Sequence, residues 1–296
     1  MRENGLMSAF EHRFWSSADG LRLHFRDWRG VEAASFAGRP PLLCLPGLTR
    51  NGRDFDALAA RLAPRWRVIC PDMRGRGDSG YARNSAAYNP LQYVADVEDL
   101  LAAEGIARVV AVGTSLGGLM TAILALKHPG LIAGAVINDV GPVIEPAGLA
   151  RIVEYVGQGR SFQTWMHAAR ALEEVHAGAH PRFTLDDWLA MAKRVMTLGP
   201  NGRIVFDYDM KIAEPFAAAP TGERPDLWPA FEALGAAPLV VLRGALSDIL
   251  SAQTADAMAT RIAGAELVTV PDVGHAPTLD EPEAAAAIDR LLARIA

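Results

Sequence analysis

Short apolar runs recur along the chain, and each stops abruptly at a turn-forming residue. Leu42-Leu43-Cys44-Leu45 stops at Pro46-Gly47, Arg67-Val68-Ile69-Cys70 at Pro71-Asp72, and Val109-Val110-Ala111-Val112 at Gly113. Ala135-Val136-Ile137 stops at Asn138-Asp139, while Leu239-Val240-Val241-Leu242 and Leu267-Val268-Thr269-Val270 come late. Runs without a polar face predict strands buried on both sides, as in a parallel sheet. The stretch from Phe14 to Trp28 alternates more and predicts an antiparallel hairpin at the sheet edge.

Helical spacing fills the gaps. Leu91, Val94, Val97 and Leu101 recur at three to four residues after Asn89-Pro90. The stretch from Ser115 to Lys127 is apolar nearly all round, which predicts a central buried helix, and Glu281 to Ile295 predicts a closing one. The predicted fold class is therefore α/β, with a mostly parallel central sheet of about eight strands flanked by helices.

The alternation breaks between about Gly141 and Trp228, where helical patterns dominate. Ser161 is a candidate N-cap for a helix carrying Phe162, Trp165, Met166 and Ala169. Thr184-Leu185-Asp186-Asp187 resembles a capping box before Trp188, Leu189, Ala192, Val195 and Met196. This predicts a helical cap inserted after the sixth strand, splitting the chain into 1–140 (first part of the core), 141–230 (cap) and 231–296 (second part of the core). Trp165, Met166, Trp188 and Met196 either pack the insertion or line a pocket beneath it.

Composition narrows the partners. The 296 residues are 50% hydrophobic and 21% charged, with a net charge of −5 at pH 7. A mildly acidic chain lacks the basic face that phosphate neutralisation requires, so no nucleic acid is expected. Met1 to Met7 contain no continuous apolar core of an export signal. The apolar stretch from Leu116 to Leu126 is too short to span a bilayer, which needs about 20 residues. A soluble, cytoplasmic protein is expected. Cys44 and Cys70 sit within apolar runs and read as buried thiols.

The chemistry concentrates in a few positions. Gly113-Thr114-Ser115-Leu116-Gly117 joins an apolar strand to an apolar helix, the setting of a nucleophile elbow. A serine hydroxyl needs a base. Of seven histidines, His12 and His24 lie near the start, His128 ends a helix, and His167, His176 and His180 fall in the insertion. His275 follows the last strand in Pro271-Asp272-Val273-Gly274-His275, beyond a strand C-terminus where α/β active sites lie. Asp248 fits best as the acid that orients it, since it follows the strand ending at Leu242. Asp139, at the end of an earlier strand, is the rival. Leu116 N–H is a candidate oxyanion donor, and Leu48 N–H, in Pro46-Gly47-Leu48, is a second.

Together these residues resemble the α/β-hydrolase fold superfamily, specifically its small capped bacterial serine hydrolases. The resemblance runs from about residue 14 to the end and includes Asp72-Met73-Arg74-Gly75-Arg76-Gly77-Asp78-Ser79 and Ser115-Leu116-Gly117-Gly118. It departs at the oxyanion loop, where many relatives carry His-Gly and this chain has Pro46-Gly47. The resemblance implies a Ser115–His275–Asp248 triad that cleaves a carboxylic ester or lactone of a small molecule. Alternatives on the same framework are a carbon–carbon bond or amide hydrolase, and a ligand-binding receptor. Branches that use Asp as nucleophile are excluded by Ser115. No cofactor or metal is expected: Gly75-Arg76-Gly77-Asp78-Ser79-Gly80 spells a dinucleotide-type motif, but the residues after it read as loop.

Overall fold

Five strand ends, at Leu45, Thr114, Asn138, Gly244 and Val270, meet along one edge of a single eight-stranded sheet in the computed structural model. Residues 10–29, 38–217 and 225–295 are described; the opening segment Met1 to Met7 lies outside them. The strands are β1 (Glu11–Ser16), β2 (Arg22–Trp28), β3 (Leu42–Leu45), β4 (Val68–Asp72), β5 (Val109–Thr114), β6 (Ile132–Asn138), then β10 (Leu239–Gly244) and β11 (Ala265–Val270). Their order is β1-β2-β4-β3-β5-β6-β10-β11. The β1–β2 and β2–β4 pairs are antiparallel, so the expected hairpin does sit at the edge, and the remaining pairs are parallel.

The period-two alternation of each strand divides the core into two layers. Leu43 and Leu45 of β3, Val109 and Ala111 of β5, and Leu239 and Val241 of β10 face one layer. Helices α2 (Pro90–Ala103) and α3 (Leu116–Lys127), α8 (Trp228–Glu232) and α9 (Ala252–Arg261) cover that side. Leu42 and Cys44, Val110 and Val112, and Val240 and Leu242 face the other, under α1 (Asp56–Leu62) and α10 (Pro282–Ala293). Cys44 and Cys70 are both buried and unbridged. Burial pushes the Cys70 thiol well above the ordinary thiol range.

Helix starts follow their caps. Asn89 accepts a hydrogen bond from Gln92 N ahead of α2, which carries Pro at its start. The predicted box at Thr184 is formed, with Thr184 and Asp187 capping each other's backbone at the head of α6 (Leu185–Val195).

The segment between β6 and β10 is not all-helical, as the sequence had suggested. Besides α4 (Pro146–Tyr155), α5 (Trp165–His176), α6 and α7 (Ala213–Ala217) it contains β7 (Ser161–Phe162), β8 (Met196–Leu198) and β9 (Ile204–Phe206). These form an antiparallel sheet in the order β7-β9-β8. Strands of two or three residues are too short to leave a period in the sequence. Ser161 therefore begins a strand, and Thr164 caps α5 instead. No helix among the described residues is long and apolar enough to cross a membrane.

Candidate active site

The turn from β5 into α3 is as tight as the two glycines that flank it allow. A Cβ on Gly117 would overlap the Leu45 carbonyl, and one on Gly113 would overlap the Gly117 carbonyl. Ser115 at its apex takes φ 53° and ψ −114°, a conformation costly for a residue with a side chain. Its N–H is held by Asn138 O at 2.9 Å. The strained backbone lifts the hydroxyl off the sheet edge toward the loop after β11.

There it meets His275. Ser115 Oγ lies 2.9 Å from His275 Nε2, and His275 Nδ1 lies 2.7 Å from Asp139 Oδ2. A carboxylate can only accept, so Nδ1 carries the proton and Nε2 is left to accept from the serine. Asp139 is fully buried, at φ 58° directly after β6. Its Oδ1 accepts from Gly244 N at 2.8 Å and its Oδ2 also accepts from Ser247 Oγ at 2.7 Å. Asn138 Nδ2 donates to Pro277 O at 2.9 Å, tying β6 to the histidine loop.

Asp248, the acid expected from sequence, makes no hydrogen bond to the histidine; Asp139, the rival, does. After β10 the chain turns at once, with Ser247 N bonded to Gly244 O and Ala245 N to Val270 O. That turn aims Ser247 at Asp139 and swings Asp248 outward to α4. Arg151 grips Asp248 there through Nε and Nη2, at 2.6 and 2.8 Å. The hydrogen bonds from Arg151 hold the Asp248 carboxyl below its usual range. Both aspartates follow strands of the correct edge; only Asp139 follows its strand without an intervening turn.

The proposed donors also lie here. Neither Leu48 N–H nor Leu116 N–H is hydrogen-bonded among the described residues; Leu48, in the rim loop, lines the same cavity as Ser115, and Leu116 follows Ser115 at the first position of α3. The rim loop is pinned from below by Arg76, which sequence reasoning passed over. Its fully buried guanidinium donates to Leu48 O from Nε and Nη2, at 2.9 and 2.6 Å, and to Tyr93 OH at 3.0 Å.

A cavity of about 630 Å³ opens over Ser115 and His275. Its far wall comes from the inserted segment: Ile152 and Tyr155 of α4, Leu172 of α5, Met191 and Val195 of α6, and Phe206. Trp165, Met166, Trp188 and Met196, which the sequence left between packing the insertion and lining a pocket, do not border it. Trp188 and Met196 are buried in the inserted segment's own core, Trp165 packs against that core, and Met166 is 43% exposed. Trp165 and Met166 lie on α5, Trp188 on α6 and Met196 at the start of β8; Leu172 and Met191, which share that core, also border the cavity.

His176 also borders the cavity, its ring edge-on to Tyr155 at 5.4 Å. Burial first, then the charges of Arg50 and Arg151, push its pKa down to about 4. His180 is pushed down to about 4 by burial and by the charge of His176. Among the described residues, the one His/Asp group with metal-like proximity is His12, His24 and Asp78, on the outer edge of the sheet. His24 Nδ1 bonds to Asp72 at 2.7 Å and its Nε2 faces His12 Nδ1 at 2.8 Å, so the pair is already satisfied internally. His128 caps the C-terminus of α3 beside Glu98, and His167 bonds to Thr164.

Residues 42–288 match the Alpha/beta hydrolase family. A 3-hydroxybutyrate-oligomer hydrolase of Cupriavidus necator is 37% identical over 249 residues, covering 81% of this chain and 84% of the relative. A 2-(acetamidomethylene)succinate hydrolase of Mesorhizobium japonicum is 27% identical over 247 residues, covering 82% and 84%. The crystal structure of an alpha/beta hydrolase from Novosphingobium aromaticivorans superposes with a TM-score of 0.92 at 62% identity, covering 98% of this chain and all of the other. On its sheet, its sequence match and these relatives, the chain belongs to the alpha/beta hydrolase family and is a hydrolase.

Proposed function

We propose that this hydrolase cleaves a carboxylic ester or lactone of a small molecule through an acyl-enzyme on Ser115. The observation that carries the reading is the unbroken chain Ser115 Oγ–His275 Nε2, His275 Nδ1–Asp139 Oδ2 at 2.9 and 2.7 Å. The relative named for 3-hydroxybutyrate oligomers favours esters of short hydroxy acids within that class.

In the first half-reaction His275 Nε2 takes the Ser115 proton as Oγ attacks the acyl carbon. Leu48 and Leu116 N–H groups receive the oxyanion, helped by the N-terminal end of α3. The C–O bond to the leaving alcohol breaks as His275 returns the proton to the alcohol oxygen. In the second half a water gives its proton to His275 and its oxygen to the acyl carbon, and Ser115 leaves protonated. Asp139 stays ionised throughout and stabilises the imidazolium. The inserted segment serves as a cap that excludes bulk water from the acyl carbon.

A fluorophosphonate probe tests this directly. Covalent labelling of Ser115 that disappears in Ser115→Ala and in His275→Ala supports the reading. Hydrolysis retained near wild type in Ser115→Ala overturns it.

A further inference from the structure

Four arginines border the cavity: Arg50, Arg151, Arg160 and Arg194. Two already hold carboxylates. Arg50 grips Asp54 at 2.5 and 2.6 Å, and Arg151 grips Asp248. Arg160 is exposed on the rim, 5.5 Å over the Phe162 ring.

Arg194, in the last turn of α6, is different. Among the described residues its guanidinium makes no ion pair, and its Nε is buried without a hydrogen-bond partner. Its charge reaches the carboxyls of Asp187, on its own helix, and Asp280; neither is bonded to it. A buried guanidinium nitrogen that has left water without finding an acceptor is expensive, and such groups are rare in folded proteins. Arg194 also borders the cavity, where a ligand can offer its guanidinium the acceptor that the protein does not.

The position of Arg194 is fixed by its own backbone. Its carbonyl oxygen accepts from Asn51 Nδ2 at 3.2 Å and from Arg53 Nε at 2.9 Å. The end of α6 is thereby clamped to the same rim loop that carries Leu48. The cavity that Arg194 borders also contains Ser115 and His275. Its remaining acidic lining groups are Asp54, held by Arg50, and the exposed Glu154. The lining thus carries more cations than anions.

The geometry points to Arg194 as the anchor for a free carboxylate on the substrate, so that the preferred substrates are anionic esters: short esters whose far end bears a carboxylate. A guanidinium fork matches a carboxylate with two parallel hydrogen bonds. The anchor holds the acid end against α6 while the ester carbonyl lies over Ser115. This inference rests on the ester-hydrolase reading above and assigns that site its substrate class.

Two chromogenic esters of similar length provide the test: the mono-4-nitrophenyl ester of glutaric acid, which is anionic, and 4-nitrophenyl pentanoate, which is neutral. The wild type favours the anionic ester in kcat/KM. In Arg194→Leu the anionic-to-neutral ratio of kcat/KM falls roughly 10- to 100-fold, mainly through KM, as expected for a hydrogen bond to a charged group. Arg194→Lys retains part of the preference. A second measurement needs no variant: free glutarate competitively inhibits pentanoate hydrolysis by the wild type. No anionic preference together with no inhibition by glutarate overturns the assignment, as does an unchanged ratio in Arg194→Leu. Loss of both activities in Ser115→Ala with an unchanged ratio in Arg194→Leu sinks the anchor alone; hydrolysis of both esters by Ser115→Ala sinks the underlying reading.

Discussion

Arg151 and Asp248 form a two-pronged ion pair between α4 and the loop after β10, and the pair occupies both carboxylate oxygens of Asp248. Gly148, one turn earlier on α4, packs so closely on the Asp248 peptide that a Cβ there would overlap its carbonyl oxygen. Helix and loop are fitted to each other.

The division of labour between the two aspartates gives the first prediction. Asp139→Asn should lower kcat about 10⁴-fold, because an amide no longer enforces the Nδ1–H tautomer. Asp248→Asn should stay within about tenfold of wild type, and should cost about 1 kcal/mol or less in stability, since the pair is partly exposed. Steady-state kinetics and urea unfolding of the two variants check this. Equal losses of kcat would reverse the assignment.

Arg76 gives the second. Replacing it by Leu leaves the Leu48 carbonyl without its two donors and frees the rim loop. We expect kcat to fall about 10- to 100-fold from misplacement of the Leu48 N–H, with Arg76→Lys intermediate. Kinetics on a neutral ester read the loss of kcat separately from KM.

The elbow gives the third. Gly117→Ala drives a methyl into the Leu45 carbonyl, in a backbone that has no room to shift. The expected cost is about 3 kcal/mol or more, seen as a lower melting temperature or loss of soluble protein. An Ala variant as stable as the wild type would contradict the close approach of α3 to β3.

Acid sensitivity gives the fourth. His176 and His180 have folded pKa values near 4, below the value of 6.5 for a free histidine. Between those limits the unfolded chain binds protons that the folded chain refuses. The stability they confer is complete above pH 6.5 and is lost as pH falls toward 4. Urea midpoints between pH 7 and 4 should therefore decline, and the double variant His176→Asn/His180→Asn should flatten that decline.

The strands, the elbow at Ser115 and the loop position of His275 were legible because each rests on local pattern: an apolar run, a pair of glycines, a residue beyond a strand end. Choosing between Asp139 and Asp248 was not, because both stand at the same sheet edge. The choice is made by a turn that aims Ser247 rather than Asp248, and turns of that kind leave no periodic trace. The choice between packing and pocket lining for the inserted segment's apolar residues was not legible for a related reason. Trp188 and Met196 announce an apolar face, but an amphipathic helix on an insertion can bury that face in its neighbour as readily as against a ligand. Arg194 is one of several charges on the inserted helices, and its missing acceptor leaves no trace in the sequence.

The inserted segment is fastened around the rim. Arg151 holds Asp248, Arg53 holds Asp207 and the Arg194 carbonyl, and Tyr88 holds Asp209 at 2.6 Å. On the cap role proposed above, a roof bolted at separate points along its perimeter holds its shape without a ligand. An incoming molecule therefore spends little of its binding energy on ordering the wall, and more of it can be expressed as discrimination between shapes.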